Sequence, residues 1–148
     1  RKSSNILAAI DLGTTKKVKQ DLNTKILQQA KILADGFNTE LHVCYTVSIS
    51  KLLKDLGMQY PDEMERHAQS KLDEKIKSLC AQYDIEPCNF HIKAGEPGKV
   101  ITSVAAESKA GVVVIGMIGR SGINGKIFGN TAEKTLSLLK TDVLALNP

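Results

Sequence analysis

Val112-Val113-Val114-Ile115-Gly116 is a run of four apolar residues closed by a glycine, and its reading decides the fold. An apolar run without polar alternation fits a strand covered on both faces, as happens in parallel sheets flanked by helices. Ile6-Leu7-Ala8-Ala9-Ile10, ending at Asp11, is a second run of this kind. Around these two, helical and extended patterns alternate, which points to βαβ units. Ile26, Leu27, Ala30, Leu33, Ala34 and Phe37 recur at helical spacing, with Gly36 near the end. Glu40 to Val47 alternates and places Leu41, Val43, Tyr45 and Val47 on one face of a strand. The connection Ser48 to Tyr60, with Leu52, Leu53 and Leu56, suggests a short helical turn.

From Pro61 a long helix follows, marked by Met64, Ala68, Leu72, Ile76, Leu79 and Tyr83. Cys88 to Lys93 alternates weakly, with Phe90 and Ile92 on one face, and so belongs near a sheet edge. Pro97 suits the first turn of a helix whose stripe is Val100, Ile101, Val104 and Ala105. A last helix is expected from Thr131 to Leu139, and Val143 to Leu146 closes as a fifth strand. The expected fold is therefore α/β: one domain over residues 1–148, with a doubly wound five-stranded parallel sheet of order 3-2-1-4-5 and helices on both faces. The two apolar runs should lie side by side at the centre, where the strand order reverses. Ligands of open α/β sheets bind at that reversal, outside the carboxyl ends of the strands. Asp11 and Gly116 occupy those ends.

The composition excludes several classes. At 148 residues with 42% apolar and 24% charged side chains, the chain is an ordinary single globular domain that buries roughly two thirds of its unfolded surface. No apolar run approaches the roughly 20 residues of a membrane span. Net charge is +4 and aromatics are 4%, too little for a basic stripe or stacking platform, so no nucleic-acid partner is expected. Lys16, Lys17 and Lys19 read as a solvated loop. Cys44, Cys80 and Cys88 form no CxxC pair and read as small buried hydrophobes in a reducing compartment, hence a cytoplasmic location. His42, His67 and His91 are scattered at no metal-ligand spacing, and no metal site is expected. The chain opens Arg1-Lys2-Ser3-Ser4-Asn5 without methionine or an apolar signal region, so a fragment of a longer protein or a processed chain is expected.

Chemistry concentrates in Gly116 to Thr131, where five glycines fall within sixteen residues. The segment joins a buried strand to a helix start, where backbone N–H groups and the positive helix end favour an anion such as phosphate. Glycines let backbone approach a ligand closely. Two structural roles compete: Gly116 as a simple turn, and Asn130 with Glu133 as a helix cap. Gly125-Lys126 is no P-loop, because Arg120 stands five positions earlier and Ile127 follows the lysine. Asp11-Leu12-Gly13-Thr14-Thr15 is similar to the first phosphate loop of actin-like ATPases, but there it lies in a β-hairpin, whereas here a helical pattern follows. No catalytic constellation is present in the pattern.

Gly116-x-x-Gly119, then nine residues and Gly129 with a small polar residue, resembles the GxxG-x9-G[ST] signature of the universal stress protein family. Asp11 at the end of strand one, Gly95-Glu-Pro97 and the Asp142-Val-Leu-Ala-Leu ending extend the likeness over the whole chain. Gly119-Arg-Ser-Gly-Ile and Phe128-Gly-Asn-Thr-Ala-Glu133 resemble, more narrowly, the second half of tandem, E-type members. The resemblance implies an adenine nucleotide such as ATP, with Mg2+, or a related small ligand, none of them required for folding. It implies that Asp11 and Tyr45 meet the base, that Gly116 and Gly119 wrap ribose and phosphates, and that Gly129 and Asn130 reach the terminal phosphates. Thr131 and Arg120 would add a hydroxyl and a charge. Three departures stand out: Asn130 replaces a serine or threonine, Ile118 a frequent histidine, and Tyr45 a small aliphatic residue. The expected function is a stress-response domain that binds without efficient catalysis, and not an enzyme. The alternative is an interaction module with a degenerate site, pairing through Val143–Leu146 with itself or with a second universal stress protein domain.

Overall fold

The computed structural model of the chain describes residues 4–47, 61–117 and 137–148. One sheet holds five strands in the order β3-β2-β1-β4-β5: β1 (Asn5–Ile10), β2 (Leu41–Val47), β3 (Phe90–Ala94), β4 (Ala110–Gly116) and β5 (Asp142–Leu146). Every pairing is parallel. The two apolar runs are therefore neighbours at the centre, and their interior residues Leu7, Ala8, Val113 and Val114 are fully buried. The expected doubly wound order is observed.

Three helices cover the described sheet: α1 (Lys17–Phe37), α2 (Pro61–Tyr83) and α3 (Pro97–Glu107). Leu22, Ile26, Leu27, Ala30 and Ala34 of α1 and Ile76 and Tyr83 of α2 pack with Ile6, Ala8, Ile10 and Val43 on one face. Ile101, Val104 and Ala105 of α3 pack with Leu7, Cys44, Val113 and Ile115 on the other. Moving outward through β1, β2 and β3 keeps α1 and α2 on one side. The crossover back to β4 puts α3 on the opposite side, as right-handed connections require. The short turn predicted in 48–60 and most of the last helix lie outside the described residues. Within them, Ser137 and Leu138 are helical, and Leu139 packs against the α3 face.

Some local expectations change. Gly36 lies near the end of α1 as expected, and the cap itself is Asn38, at φ 52 and ψ 52, with its N–H bonded to the Ala34 and Asp35 carbonyls. Asparagine tolerates the left-handed region well enough to serve as this cap. Phe37 then falls in the last turn and is 58% exposed, so the apolar stripe ends at Ala34. Pro87–Asn89 form a 3-10 turn, so the third strand starts at Phe90 and not at Cys88. Of the cysteines only Cys44 is buried; Cys80 is half-buried and Cys88 exposed. Burial pushes the Cys44 thiol up to about 12, which makes it an inert core residue.

His42 and His91 are not scattered in space. β2 and β3 pair with Cys44 opposite His91, which brings His42 diagonally alongside on the α3 face. The rings stack with 5.3 Å between centroids, and His42 Nδ1 lies 3.0 Å from His91 Nε2. One ring must donate and the other accept, so the contact requires that the pair not be doubly protonated. Burial lowers both histidines, the charge of His42 and Lys93 lowers His91 further, and Glu40 and Glu107 partly offset this. With folded values below the free value of about 6.5, the unfolded chain binds more protons in mild acid. The pair's contribution to stability is thus present above about pH 6.5 and is lost progressively as pH falls below it. Urea midpoints between pH 7.5 and 5.5 should decline in the native chain and decline less in His91→Gln; equal declines would exclude the pair as the cause.

Candidate functional site

At the carboxyl end of β1 the chain leaves the sheet at Asp11 and enters α1 six residues later. Parallel pairing of β1 with β2 through a helix removes the hairpin reading of this loop. Asn23, inside α1, holds Asp11 by both main-chain groups: its Oδ1 accepts the Asp11 N–H at 3.0 Å, and its Nδ2 donates to the Asp11 carbonyl at 2.6 Å. The Asp11 carboxylate takes the Gly13 N–H at 3.2 Å, an Asx turn that bends the loop. Gln20 Nε2 donates to the Thr14 carbonyl, and the Thr14 hydroxyl accepts the Lys16 N–H, both at 3.2 Å. The loop is anchored to α1 throughout, while Leu12 tucks into the core at 4% exposure.

Sequence reading missed Asn23. Its signal was faint: one amide beside the buried Leu22, on the edge of the stripe. Asn23→Ala removes two solvent-exposed hydrogen bonds that hold the loop to α1, together about 1–3 kcal/mol at the usual net value per bond. The thermal midpoint should drop accordingly, and proteolysis between Asp11 and Lys16 should accelerate. An unchanged cleavage rate would show that Asn23 does not hold the loop.

Tyr45 approaches the same turn from β2. It pairs with Ile10 on one side and Ile92 on the other, and its ring is half-buried against the α1 face. The hydroxyl meets the Gly13 backbone, and burial together with the Asp11 carboxylate raises the phenol pKa. Tyr45 therefore stays protonated and neutral beside an acid. On the other side of β1, Gly116 closes β4, and the Met117 N–H bonds to the Leu146 carbonyl at 2.8 Å. Gly116 has a packing role: an added Cβ would lie 2.5 Å from Leu22 Cδ2. α1 can rest on β4 only because no side chain stands there.

The structure thus brings Asp11, Tyr45 and the strand ending in Gly116 to the carboxyl ends of three adjacent strands. Gly119, Arg120, Gly129, Asn130 and Thr131 lie outside the described residues. No group of three or more His, Cys, Asp or Glu within reach of a single ion occurs among the described residues. None of the described helices is long and apolar enough to cross a membrane.

This geometry defines a class: a doubly wound α/β domain with polar groups gathered at the point where strand order reverses. Comparison with known proteins then places the chain within it. The chain belongs to the universal stress protein family, whose model matches residues 3–147. Universal stress protein E of Escherichia coli K12 is 30% identical over 145 residues, covering 96% of this chain and 46% of that protein. A crystal structure of a functionally unknown protein from Pseudomonas aeruginosa PAO1 superposes with a TM-score of 0.77 at 29% identity, over 99% of this chain and 48% of that one. The Archaeoglobus fulgidus universal stress protein in complex with dAMP superposes with a TM-score of 0.60 at 18% identity, covering 96% of each chain, a likeness of fold. The chain spans about half the length of the E-type relatives it matches.

Proposed function

We propose that this chain is a cytoplasmic stress-response domain that holds an adenine nucleotide, such as ATP with Mg2+, at the switch point without efficient turnover. The observation that carries this reading is the fixing of Asp11 by Asn23 at the reversal, next to the end of β4. A ligand site gains affinity when its groups are held in place beforehand. Support comes also from the fold shared with a family member solved with dAMP. Gly119, Gly129 and Asn130 would supply backbone and amide donors to phosphates, and Arg120 or Thr131 a charge or hydroxyl.

Titration calorimetry with ATP and Mg2+ tests the reading. The native chain should bind, and Gly119→Val should weaken binding by at least about tenfold, or about 1.4 kcal/mol, by placing a branched side chain where backbone must meet phosphate. Asn130→Ser should strengthen it. No heat with any of the three proteins would remove the nucleotide and leave the second reading.

That second reading is an interaction module. β5 is an edge strand whose Val143, Leu144, Ala145 and Leu146 are all half-exposed, and unpaired apolar edges recruit another chain. Because the chain covers about half of its E-type relatives, the proposed partner is a second universal stress protein domain, or a second copy of this one.

A further inference from the structure

The bond between His42 and His91 has a direction that its surroundings set. His42 Nδ1 stands 3.0 Å from His91 Nε2, the separation of one N–H and one lone pair. The other nitrogen of His42, Nε2, is buried without a hydrogen-bond partner, and the Glu40 carboxylate lies 3.6 Å from it. A carboxylate facing a ring nitrogen favours the tautomer that carries its hydrogen there. His42 Nε2 is therefore protonated, His42 Nδ1 accepts, and His91 Nε2 donates. His91 Nδ1 is then the base that takes a first proton.

A first and a second proton have different consequences. The first enters at His91 Nδ1 and leaves the bond in place, now charge-assisted. The second must go to His42 Nδ1, where it fills the lone pair and sets two N–H groups and two positive charges against each other. Glu40 draws positive charge to His42 from before β2, and Glu107, at the end of α3, draws it to His91. Lys93, on β3 itself, opposes it, while Cys44, opposite His91, stays a neutral thiol. Each ring thus has its own carboxylate, which favours imidazolium rings that have parted.

The two rings do not yield equally. His42 belongs to an inner strand and its side chain is 9% exposed. His91 is half-buried on β3, an edge strand with a neighbour on one side. The carboxyl end of β3 is pinned: Gly95 N–H donates to the Val47 carbonyl at 3.1 Å, and Ala94 N–H to Glu65 Oε1 at 3.2 Å. Relief therefore comes from His91 and the strand that carries it.

We propose that the His42–His91 bond is an acid-operated latch on the β3 edge of the sheet, surviving a first proton and breaking with the second, so that β3 opens locally while the β1–β4 centre stays folded. Parts of a fold can open below the free energy of global unfolding. An opened β3 leaves the backbone edge of β2 free to pair. The latch is independent of the nucleotide reading.

Residue-resolved hydrogen exchange on the native chain and His91→Gln tests it, at about pH 7.5 and about pH 5.0, across the histidine range. Each rate is divided by that of an unstructured peptide at the same pH. His91 and Lys93 alternate with Ala94, so their N–H groups turn toward β2 as that of Gly95 does. Their corrected exchange should rise in acid by at least about tenfold, the effect of displacing one titration by one pH unit. This exchange should ignore low urea, because a local opening exposes little surface. The fully buried Leu7 and Val113 should exchange more slowly and respond to urea. His91→Gln, whose amide can still donate to His42 but takes no proton, should abolish the rise. No rise in the native chain, a rise with the urea dependence of Leu7 and Val113, or a rise that persists in His91→Gln overturns the proposal. Should His91→Gln fail to melt cooperatively, the nitrogen–nitrogen coupling across the bond in the native chain decides. Coupling present at the higher pH and lost at the lower supports the latch, and any other pattern overturns it.

Discussion

Gly116→Val is expected to destabilise the chain by about 3 kcal/mol, the upper end of what overpacking costs, and to lower its thermal midpoint by roughly 6–12 °C. The added Cβ would stand 2.5 Å from Leu22 Cδ2, 2.9 Å from Leu22 Cγ and 3.2 Å from Ile26 Cδ1. Leu22 and Ile26 are 5% and 2% exposed, so neither can turn into solvent. α1 must instead lift from β4, and with it go the contacts of Ala30 and Ala34 on the same face. Gly116→Ala should show a smaller loss of the same sign. Scanning calorimetry on both variants checks this, and a valine variant melting within about 2 °C of the native chain would refute the packing role. The result matters for function because glycine at 116 is explained by packing whether or not a ligand is bound. Loss of binding in a Gly116 variant is therefore no evidence for a ligand contact.

Leu144→Lys should separate the proposed β5 pairing. If two copies of residues 1–148 associate through Val143–Leu146, each carries a half-exposed leucine on the edge strand. Burying an unpaired charge in an interface costs about 2–5 kcal/mol, so the dissociation constant should rise by roughly 30-fold to more than a thousandfold. Light scattering across a concentration series measures it. The native chain should dimerise and the lysine variant should remain a monomer throughout. A monomeric native chain would leave the edge without a self-partner, and a dimer indifferent to the lysine would place the interface elsewhere. Leu144 also touches the α1 face of the core, so a thermal melt must show that the variant folds.

What could be read from sequence tracks what depends on local pattern. The runs Ile6–Ile10 and Val112–Ile115 announced buried strands because both faces must be apolar under two helix layers, and their adjacency followed. The weak alternation around Phe90 and Ile92 announced an edge strand. Asp11 and Gly116 could be placed at the switch point because strand ends and strand order suffice for that. Contacts set by register or by a helix's rotation were not legible. The His42–His91 pair exists because Cys44 sits opposite His91, a fact no spacing along the chain contains. Asn23 reaches Asp11 across twelve residues, and an amide on a helix edge looks like any solvated residue. Gly116 read as a turn or a ligand contact, yet its absent side chain is demanded by Leu22. Cys88 read as buried through residue type alone, and a 3-10 turn puts it outside.

The most direct test of the central claim is amide-resolved NMR of the native chain titrated with ATP and Mg2+. The account predicts shifts concentrated at the carboxyl ends of the strands: the Asp11–Lys16 loop, Tyr45 to Val47, and Gly116 with Met117. Shifts confined to the opposite ends, at Asn38 to Glu40 and Ser108 to Lys109, would contradict it.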